Sequence, residues 1–206
     1  MAEASFPQGI PTSKDWSQLG VLNEVRDQGQ CNCCWSIAAC TCCEAKEKIT
    51  RTYRPMIQLA PQDIINCFAL HFPSYGDFDA VGCYSSSTVE AFEYIRKIGV
   101  MYERDCPFHM RREDCMVRTK NTPIYRILGY KEIKPWDEQT ILLRVNYHPV
   151  TAVIDVTLNF RKLKAGEVYR FPGENTRLTL HSIVIVGWRA DRPKEEKEKE
   201  KEKEKE

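Results

Sequence analysis

Two residues far apart in the chain, a cysteine and a histidine, have the types and surroundings that nucleophilic catalysis uses. Cys34 lies in the segment QGQCNCCW, which starts at Gln28, and His181 follows about 150 residues later, directly before the apolar run SIVIVGW. A cysteine is a good nucleophile only as the thiolate, and a helix N-terminus or an adjacent imidazole lowers its pKa from about 8.5 by several units. The pair therefore predicts a thiol nucleophile activated by a base that folding brings to it.

The sequence around Cys34 supplies the first of these effects. Residues 34–49 carry a helical mixture of Ala, Ile, Glu and Lys, so Cys34 is expected at the N-terminus of a helix. Gln28, six residues upstream, is placed to offer its side-chain amide to the oxyanion of a tetrahedral intermediate. The backbone N–H of Cys34 is expected to be the second donor.

The other predicted elements change in character along the chain. The first half predicts two further helices, at residues 61–67 and 87–98, of which the first begins with Pro61 and the second ends at Gly99. Beyond Pro123 the segments become β-rich. Strands are expected at residues 124–133, 150–156 and 181–188, with a short helix at 137–146. The pattern predicts an α+β fold in which a helical lobe precedes a sheet lobe.

Composition and charge exclude two classes of partner. A net charge of +1 provides no field to steer nucleic acid or anionic lipid. No apolar run approaches the roughly 18 to 20 residues of a transmembrane helix, and residues 1–10 lack the pattern of a secretory signal. We therefore expect neither a nucleic-acid nor a membrane partner.

Ten cysteines in 206 residues is a high count. It favours either disulfides in an extracellular or vacuole-like compartment or metal and thiol chemistry in a reducing one. Because no signal segment is recognised, the sequence is interpreted either as part of a longer precursor or as a gene copy that has lost its targeting segment. The sequence leaves both interpretations open.

Several segments together resemble the papain-like (cathepsin-type) cysteine peptidases, from about Ile10 to Trp188. The segment IPTSKDW resembles the start of the mature family chain, and QGQCNCCW resembles the family's nucleophile segment. LAPQDIINC resembles the ELLDC-like helix of the family, and LHSIVIVGW resembles its histidine strand. Gly82-Cys83 resembles the cysteine of a family loop. The resemblance implies a cysteine-type endopeptidase that hydrolyses peptide bonds without a cofactor or a metal.

The resemblance also implies an organisation into two lobes. Residues 10–115 form the helical lobe, with an N-terminal segment that crosses to the other lobe, and residues 116–190 form a β-barrel-like sheet lobe that lacks its terminal strands. Residues 191–206, which are almost entirely Lys and Glu from Lys194 onward, are expected to be a charged tail, disordered or helical. Family members are expected in a vacuole, a lysosome or outside the cell, whereas this chain is expected in the cytosol if it is the full translation product.

By the same resemblance, individual residues receive roles. Cys34 is the nucleophile, His181 the general base and acid, and Gln28 the oxyanion donor. Substrate contacts are expected from Trp35, Ser85 and Ser86. Disulfides are implied between Cys31 and Cys83 and between Cys67 and Cys115. A peptide or protein is the expected substrate, and cystatin-type inhibitors are expected partners.

The chain departs from the family pattern at three places. Asn32 and Cys33 stand where the family has Gly and then Ser or Ala, so a second thiol lies beside the nucleophile. Tyr84-Ser85-Ser86 replaces an Asn and two glycines, and its side chains are expected to narrow the cleft. No Asn follows His181, so the third member of a triad is not found. Because the terminal strands of the family are also missing, the edge of the sheet lobe is expected to lack neighbouring strands.

Two alternatives to the peptidase interpretation follow from these departures and from the cysteine count. The first is a non-catalytic protease homologue that binds peptides, inhibitors or another protein. The second is a thiolate metal cluster formed by the early cysteines, and the expected helix counts against it because it scatters the sulfurs over several faces. The cysteines concerned are Cys31, Cys33, Cys34, Cys40, Cys42 and Cys43.

Overall fold

The computed structural model of the chain describes residues 10–73, 75–135, 137–164, 166–173 and 177–189. The predicted charged tail at 191–206 lies outside these described residues.

Four α-helices form within the described residues, and the sequence signals at their N-termini explain where they start. They are α1 (Cys34–Thr50), α2 (Pro61–His71), α3 (Thr88–Lys97) and α4 (Glu138–Tyr147). Pro61 occupies the first turn of α2, a capping box between Ser87 and Glu90 starts α3, and the side chain of Asp137 accepts a hydrogen bond at the start of α4. All four predicted helices are confirmed, although α2 continues one turn beyond its predicted end.

The strands of the described residues form three antiparallel pairs. The strands are β1 (Ser13–Asp15), β2 (Val100–Met101), β3 (Ile124–Tyr125), β4 (Val150–Val156), β5 (Thr179–Ile185) and β6 (Gly187–Arg189). The pairs are β1 with β6, β2 with β3 and β4 with β5. Helices and antiparallel strands together confirm the α+β class, with no closed barrel in the part of the chain that the structure describes.

Two strand predictions need correction. The strand predicted at 124–133 is limited to Ile124–Tyr125, because its partner β2 is only two residues long and Leu128 turns into solvent. The strand predicted at 181–188 is divided after Ile185, and its second part pairs with β1 instead of β4. The histidine strand therefore joins two different sheets.

Two hydrophobic clusters position the elements. The larger one packs α1, α2 and α3 around Trp35, Phe68 and Tyr94. The second surrounds Trp16 and Val145 and joins the start of the chain to α4, β4 and β6. No helix of the described residues has the length and apolarity to cross a membrane.

Candidate active site

The N-terminus of α1 presents the thiol of Cys34. Cys34 is the first residue of the helix, and no acceptor is recorded among the described residues for its backbone N–H. This free N–H is typical of a first helical turn, where it favours an anionic group. The next residue, Trp35, is buried and donates its indole N–H to the carbonyl oxygens of Asn32 at 3.1 Å and Tyr84 at 2.9 Å.

The loop before α1 is fixed to the segment around Cys83. A disulfide joins Cys31 to Cys83, the pair that the resemblance implied. Asp79 accepts hydrogen bonds from the backbone N–H groups of Asn32 and Cys83, both at 2.8 Å. Gln28 donates its side-chain amide to the carbonyl of Cys31 at 3.1 Å. The loop that precedes Cys34 is therefore held in place by one disulfide and by three hydrogen bonds.

Strand β5 brings His181 to Cys34. The His181 imidazole lies beside the Cys34 thiol, and the interaction between them shifts the pKa of both groups. The backbone N–H of Ser182 donates to Cys34 Sγ at 3.5 Å. Pairing of His181 with Ile154 of β4 sets the register of the strand. Cys34, on a helix of the first half, and His181, on a strand of the second half, thus lie together as the sequence spacing predicts.

The electrostatics of this pair favour the charged forms. Burial of Cys34 opposes ionisation, but the hydrogen bonds with His181 and with the N–H of Ser182 outweigh it and hold the pKa of Cys34 below its ordinary value. The hydrogen bond with Cys34 raises the pKa of His181, against the smaller opposing effect of burial. Both shifts favour a thiolate beside an imidazolium at the helix N-terminus.

The residues expected to contact substrate occupy different positions. Ser85 is exposed, and its carbonyl accepts a hydrogen bond from Gly76 N–H at 2.8 Å. Ser86 is half-buried and donates its hydroxyl to Glu90 at 2.5 Å. Trp35, the third residue expected to contact substrate, is 1% exposed, and its ring packs on Phe68.

The remaining cysteines have no arrangement that resembles a metal site. A second disulfide joins Cys67 to Cys115. Burial raises the pKa of Cys33 to about 12 and that of Cys42 to about 11. Burial also holds the pKa values of Cys40 and Cys43 well above the ordinary value. With Cys31 in a disulfide and no metal-holding group of His, Cys, Asp or Glu in the described ranges, the thiolate-cluster alternative has no geometric support.

Sequence reasoning missed two residues of this site. Asp79 supports the nucleophile loop and Ser182 donates to the thiol. Asp79 had a local signal, since an Asp that precedes a Gly-Cys turn often accepts backbone N–H groups. Ser182 lowers the pKa of Cys34 through both its backbone N–H and its side chain, and a single Ser in a strand gives no distinctive sequence signal for this role. Among the described residues, Cys34 is the one group recorded to interact with the His181 ring, and the triad's third member is still not found.

Comparison with known proteins places these features in a family. A family model described as "Papain family cysteine protease" matches residues 10–200. Fruit bromelain from Ananas comosus is 30% identical over 88% of this chain and 48% of its own length. Procathepsin L from Felis catus is 27% identical over 94% of this chain and 56% of its own length. The chain thus spans about half the length of the curated relatives it matches.

Solved structures show the same similarity. A bromelain protease from Ananas comosus in complex with the E64 inhibitor has a TM-score of 0.71 and 26% identity, and covers 88% of this chain and 78% of its own. A recombinant stem bromelain precursor has a TM-score of 0.73 and 25% identity, and the match covers 93% of this chain and 60% of the precursor.

Proposed function

Because this chain belongs to the papain family of cysteine proteases, we propose that it hydrolyses peptide bonds with Cys34 as nucleophile and His181 as proton carrier. One observation carries the proposal: the thiol and the imidazole lie together and interact, and this interaction lowers the pKa of the thiol and raises that of the imidazole. A Cys and a His with a purely structural role would not require these opposite shifts of their pKa values. The ion pair it favours is the reactive state of a cysteine nucleophile.

The reaction follows from the position of the two groups. The Cys34 thiolate attacks the peptide carbonyl carbon and forms a C–S bond, which gives a tetrahedral oxyanion. The C–N bond then breaks, the leaving amine takes a proton from the His181 imidazolium, and an acyl-enzyme remains. His181 next takes a proton from water, the resulting hydroxide displaces the thiolate, and the carboxylic acid product leaves.

Two donors near Cys34 are proposed to stabilise the oxyanion. The backbone N–H of Cys34 has no recorded acceptor within the described residues, so it is free to donate to substrate. The side-chain amide of Gln28 has two N–H groups, and one of them is bonded to the carbonyl of Cys31. The second is available for the oxyanion, and one such donor is worth about 2.7–4 kcal/mol in known enzymes.

We further propose that a peptide or protein is the substrate and that cystatin-type inhibitors bind the same cleft between a helical lobe, residues 10–115, and a sheet lobe, residues 116–190. The exposed Ser85 is proposed to contact substrate together with Ser86. Two disulfides support a vacuolar, lysosomal or extracellular compartment for the folded chain, because reducing compartments keep such thiols reduced.

Covalent labelling tests the proposal. Folded protein is treated at about pH 6, near the ordinary pKa of His, with an epoxide probe of the papain family, and the adduct is located by mass spectrometry. We expect one adduct, on Cys34, that is lost in Cys34→Ala and strongly slowed in His181→Ala. Hydrolysis of a fluorogenic peptide by the same preparations then measures turnover. Folded protein that takes up no probe contradicts the assignment.

One observation favours a second candidate function, a non-catalytic peptide-binding module. The described residues provide no side chain that orients the His181 ring from the side opposite Cys34, and loss of an orienting group weakens catalysis severely in related triads. Peptide binding to Cys34→Ala without any turnover by the unmodified protein favours this module.

A further inference from the structure

A pocket lies apart from the candidate active site. Its volume is about 420 Å³, and it is enclosed by α1, α3, the chain after β3, the end of α4 and the start of β4. Cys42 and Lys46 contribute from α1, which places the pocket roughly 12 to 18 Å along the helix from Cys34 at 1.5 Å per residue. None of Gln28, Cys34 and His181 lines it.

The floor of the pocket is apolar. It combines aliphatic and aromatic side chains with a neutral thiol, since burial raises the pKa of Cys42 to about 11 and its Sγ lies 3.1 Å from the carbonyl oxygen of Pro149. The floor residues are Cys42, Phe92, Tyr125, Ile127, Ile133 and Val150. Such a surface is suited to a hydrocarbon chain or a ring.

The rim of the pocket is cationic. Lys46, Lys131 and Arg144 line it and are exposed, and within the described residues none of the three has a recorded ion pair. No Asp or Glu is among the described lining residues. Burial lowers the pKa of His148, the fourth basic residue of the lining, so that it is neutral at pH 7.

Neighbouring carboxylates do not neutralise this rim. Glu47 interacts electrostatically with the phenol group of Tyr125 but is paired with Arg51. Glu93 interacts with Tyr130 but is paired with Arg96 and Lys97. Glu132 also interacts with Tyr130 and has no recorded ion pair among the described residues, so one carboxylate stands against the three rim cations. The pocket therefore combines an apolar interior with an excess of positive charge at its mouth.

We propose that this pocket binds one monomer of a single-chain amphiphile with a carboxylate head group, a medium-chain fatty acid. At about 30 Å³ per heavy atom, the liquid volume of a water, the pocket holds ~14 heavy atoms, the number in dodecanoate. The tail covers the floor, and the carboxylate lies among the three rim cations. A neutral ligand leaves these cations without a partner, and a cationic one is repelled by them.

Calorimetric titration of the whole chain with dodecanoate, below its micelle concentration, tests the proposal. We expect saturable binding of one molecule, at least tenfold weaker binding of dodecanol, and no binding of dodecyltrimethylammonium. Equal binding of the acid and the alcohol overturns the proposal. Cosedimentation with phosphatidylserine vesicles without binding of dodecanoate also overturns it, in favour of a membrane surface. Since no readout depends on peptide hydrolysis, the result is independent of the proposed catalysis.

Charge-removing variants locate the bound head group. The triple variant Lys46→Gln, Lys131→Gln, Arg144→Gln is expected to weaken dodecanoate binding at least tenfold, and its exposed positions leave the fold intact. A matched triple variant removes one Arg and two Lys at other surface positions, and it is expected to bind dodecanoate as tightly as the unmodified chain does. Its substitutions are Arg104→Gln, Lys120→Gln and Lys164→Gln. Equal loss in both triple variants, or no loss in the first, overturns the assignment.

A second pair of variants locates the tail. Ile133 lines the pocket and belongs to none of the hydrophobic clusters of the described residues, so Ile133→Ser removes pocket wall without removing core. Leu128 is fully exposed and does not line the pocket, which makes Leu128→Ser the matched control. We expect at least fivefold weaker binding for Ile133→Ser and unchanged binding for the control. Unchanged binding in Ile133→Ser overturns the placement of the tail.

Discussion

Two opposing effects act on the pKa of Cys34. Burial raises it, whereas the interactions with His181 and with Ser182 lower it, and the net shift is downward. Alkylation by iodoacetamide requires the thiolate, so its rate is expected to rise with pH through a midpoint below the ordinary thiol value of about 8.5. In His181→Ala only burial and the contacts with the backbone and side chain of Ser182 remain, and the midpoint moves upward. Rates measured between about pH 4 and 10 test this.

The control for this profile is His109→Ala, which removes an exposed histidine that bonds to Glu113 and is not among the groups that shift the pKa of Cys34. It is expected to keep the midpoint of the unmodified protein. An unchanged midpoint in His181→Ala contradicts the coupling between thiol and imidazole. The proposed turnover is expected in the window between the lowered pKa of Cys34 and the raised pKa of His181, because above the latter the imidazolium loses its proton.

Cys33 is adjacent to the nucleophile but differs from it in reactivity. It is fully buried, and burial together with the neighbouring Cys34 raises its pKa to about 12. We predict that iodoacetamide at neutral pH modifies Cys34 and leaves Cys33 unmodified, and that Cys33→Ala changes the alkylation rate of Cys34 by less than about threefold. Peptide mass spectrometry identifies the modified thiol. Modification of Cys33 in Cys34→Ala at the same rate contradicts the prediction.

Helices were predictable in this chain because their signals are local. Pro61 at the start of α2 and Ser87 with Glu90 before α3 can be recognised without knowledge of the fold. The strand at 124–133 was predicted too long because strand length depends on the partner, and β2 offers two residues. The division of the histidine strand depends on pairing with β1, which is distant in sequence.

The candidate site was predictable to the extent that its chemistry belongs to side chains. Cys34, His181 and Gln28 are recognised by type and spacing. The position of Trp35 beneath the site depends on its indole N–H contacts with Asn32 and Tyr84, which only the tertiary structure shows. The N–H of Ser182 that donates to the thiol is a group that every residue except Pro carries, so this contact could not be recognised from the residue type.

Helix α1 is held in place by a buried carboxylate. Glu44 is 1% exposed and accepts hydrogen bonds from Asn23 at 2.9 Å, Arg26 at 3.2 Å and the backbone N–H of Leu59 at 2.7 Å. Glu44→Ala leaves three donors without this acceptor, and removal of one member of a buried pair costs about 3–5 kcal/mol. We expect that loss in the free energy of unfolding, measured by denaturant titration.

Glu47, one turn along the same helix, provides the control for Glu44. Its ion pair with Arg51 is on the surface, where such pairs contribute about 0–1 kcal/mol. Glu47→Ala is therefore expected to lower the unfolding free energy by at most about 1 kcal/mol. Similar losses in both variants contradict a special role for Glu44 in holding α1.

At the scale of the whole molecule, two disulfides of similar span have different relations to the site. Cys31–Cys83 and Cys67–Cys115 close loops of 52 and 48 residues, so loop entropy assigns both about 4 kcal/mol. Only the first holds the nucleophile loop. Replacing either pair by Ala is expected to lower stability similarly, whereas only loss of the first slows alkylation of Cys34 in folded protein. Equal alkylation rates in the two variants contradict the positioning role.

The two groups of the candidate site belong to different halves of the chain, so the contact between the halves sets their distance. The start of the chain makes this contact: β1 pairs with β6, Trp16 N–H donates to the carbonyl of Val186 at 2.8 Å, and the Trp16 indole N–H donates to the carbonyl of Val145 at 2.6 Å. Because α1 follows this segment in sequence, the segment connects Cys34 to the sheet that carries His181.

Trp16→Ala is therefore expected to affect stability and the site together. Loss of a buried Trp costs about 3–5 kcal/mol, and release of β6 lets His181 move away from Cys34, so alkylation near pH 6 slows. Trp16→Phe keeps most of the packing but leaves the Val145 carbonyl without its donor, at a cost of about 1–3 kcal/mol, and is expected to slow alkylation less. Tyr53→Ala, at a ring 80% exposed, is the control. If Trp16→Ala destabilises the protein but the remaining folded molecules alkylate at the original rate, contacts other than this segment hold the two halves together.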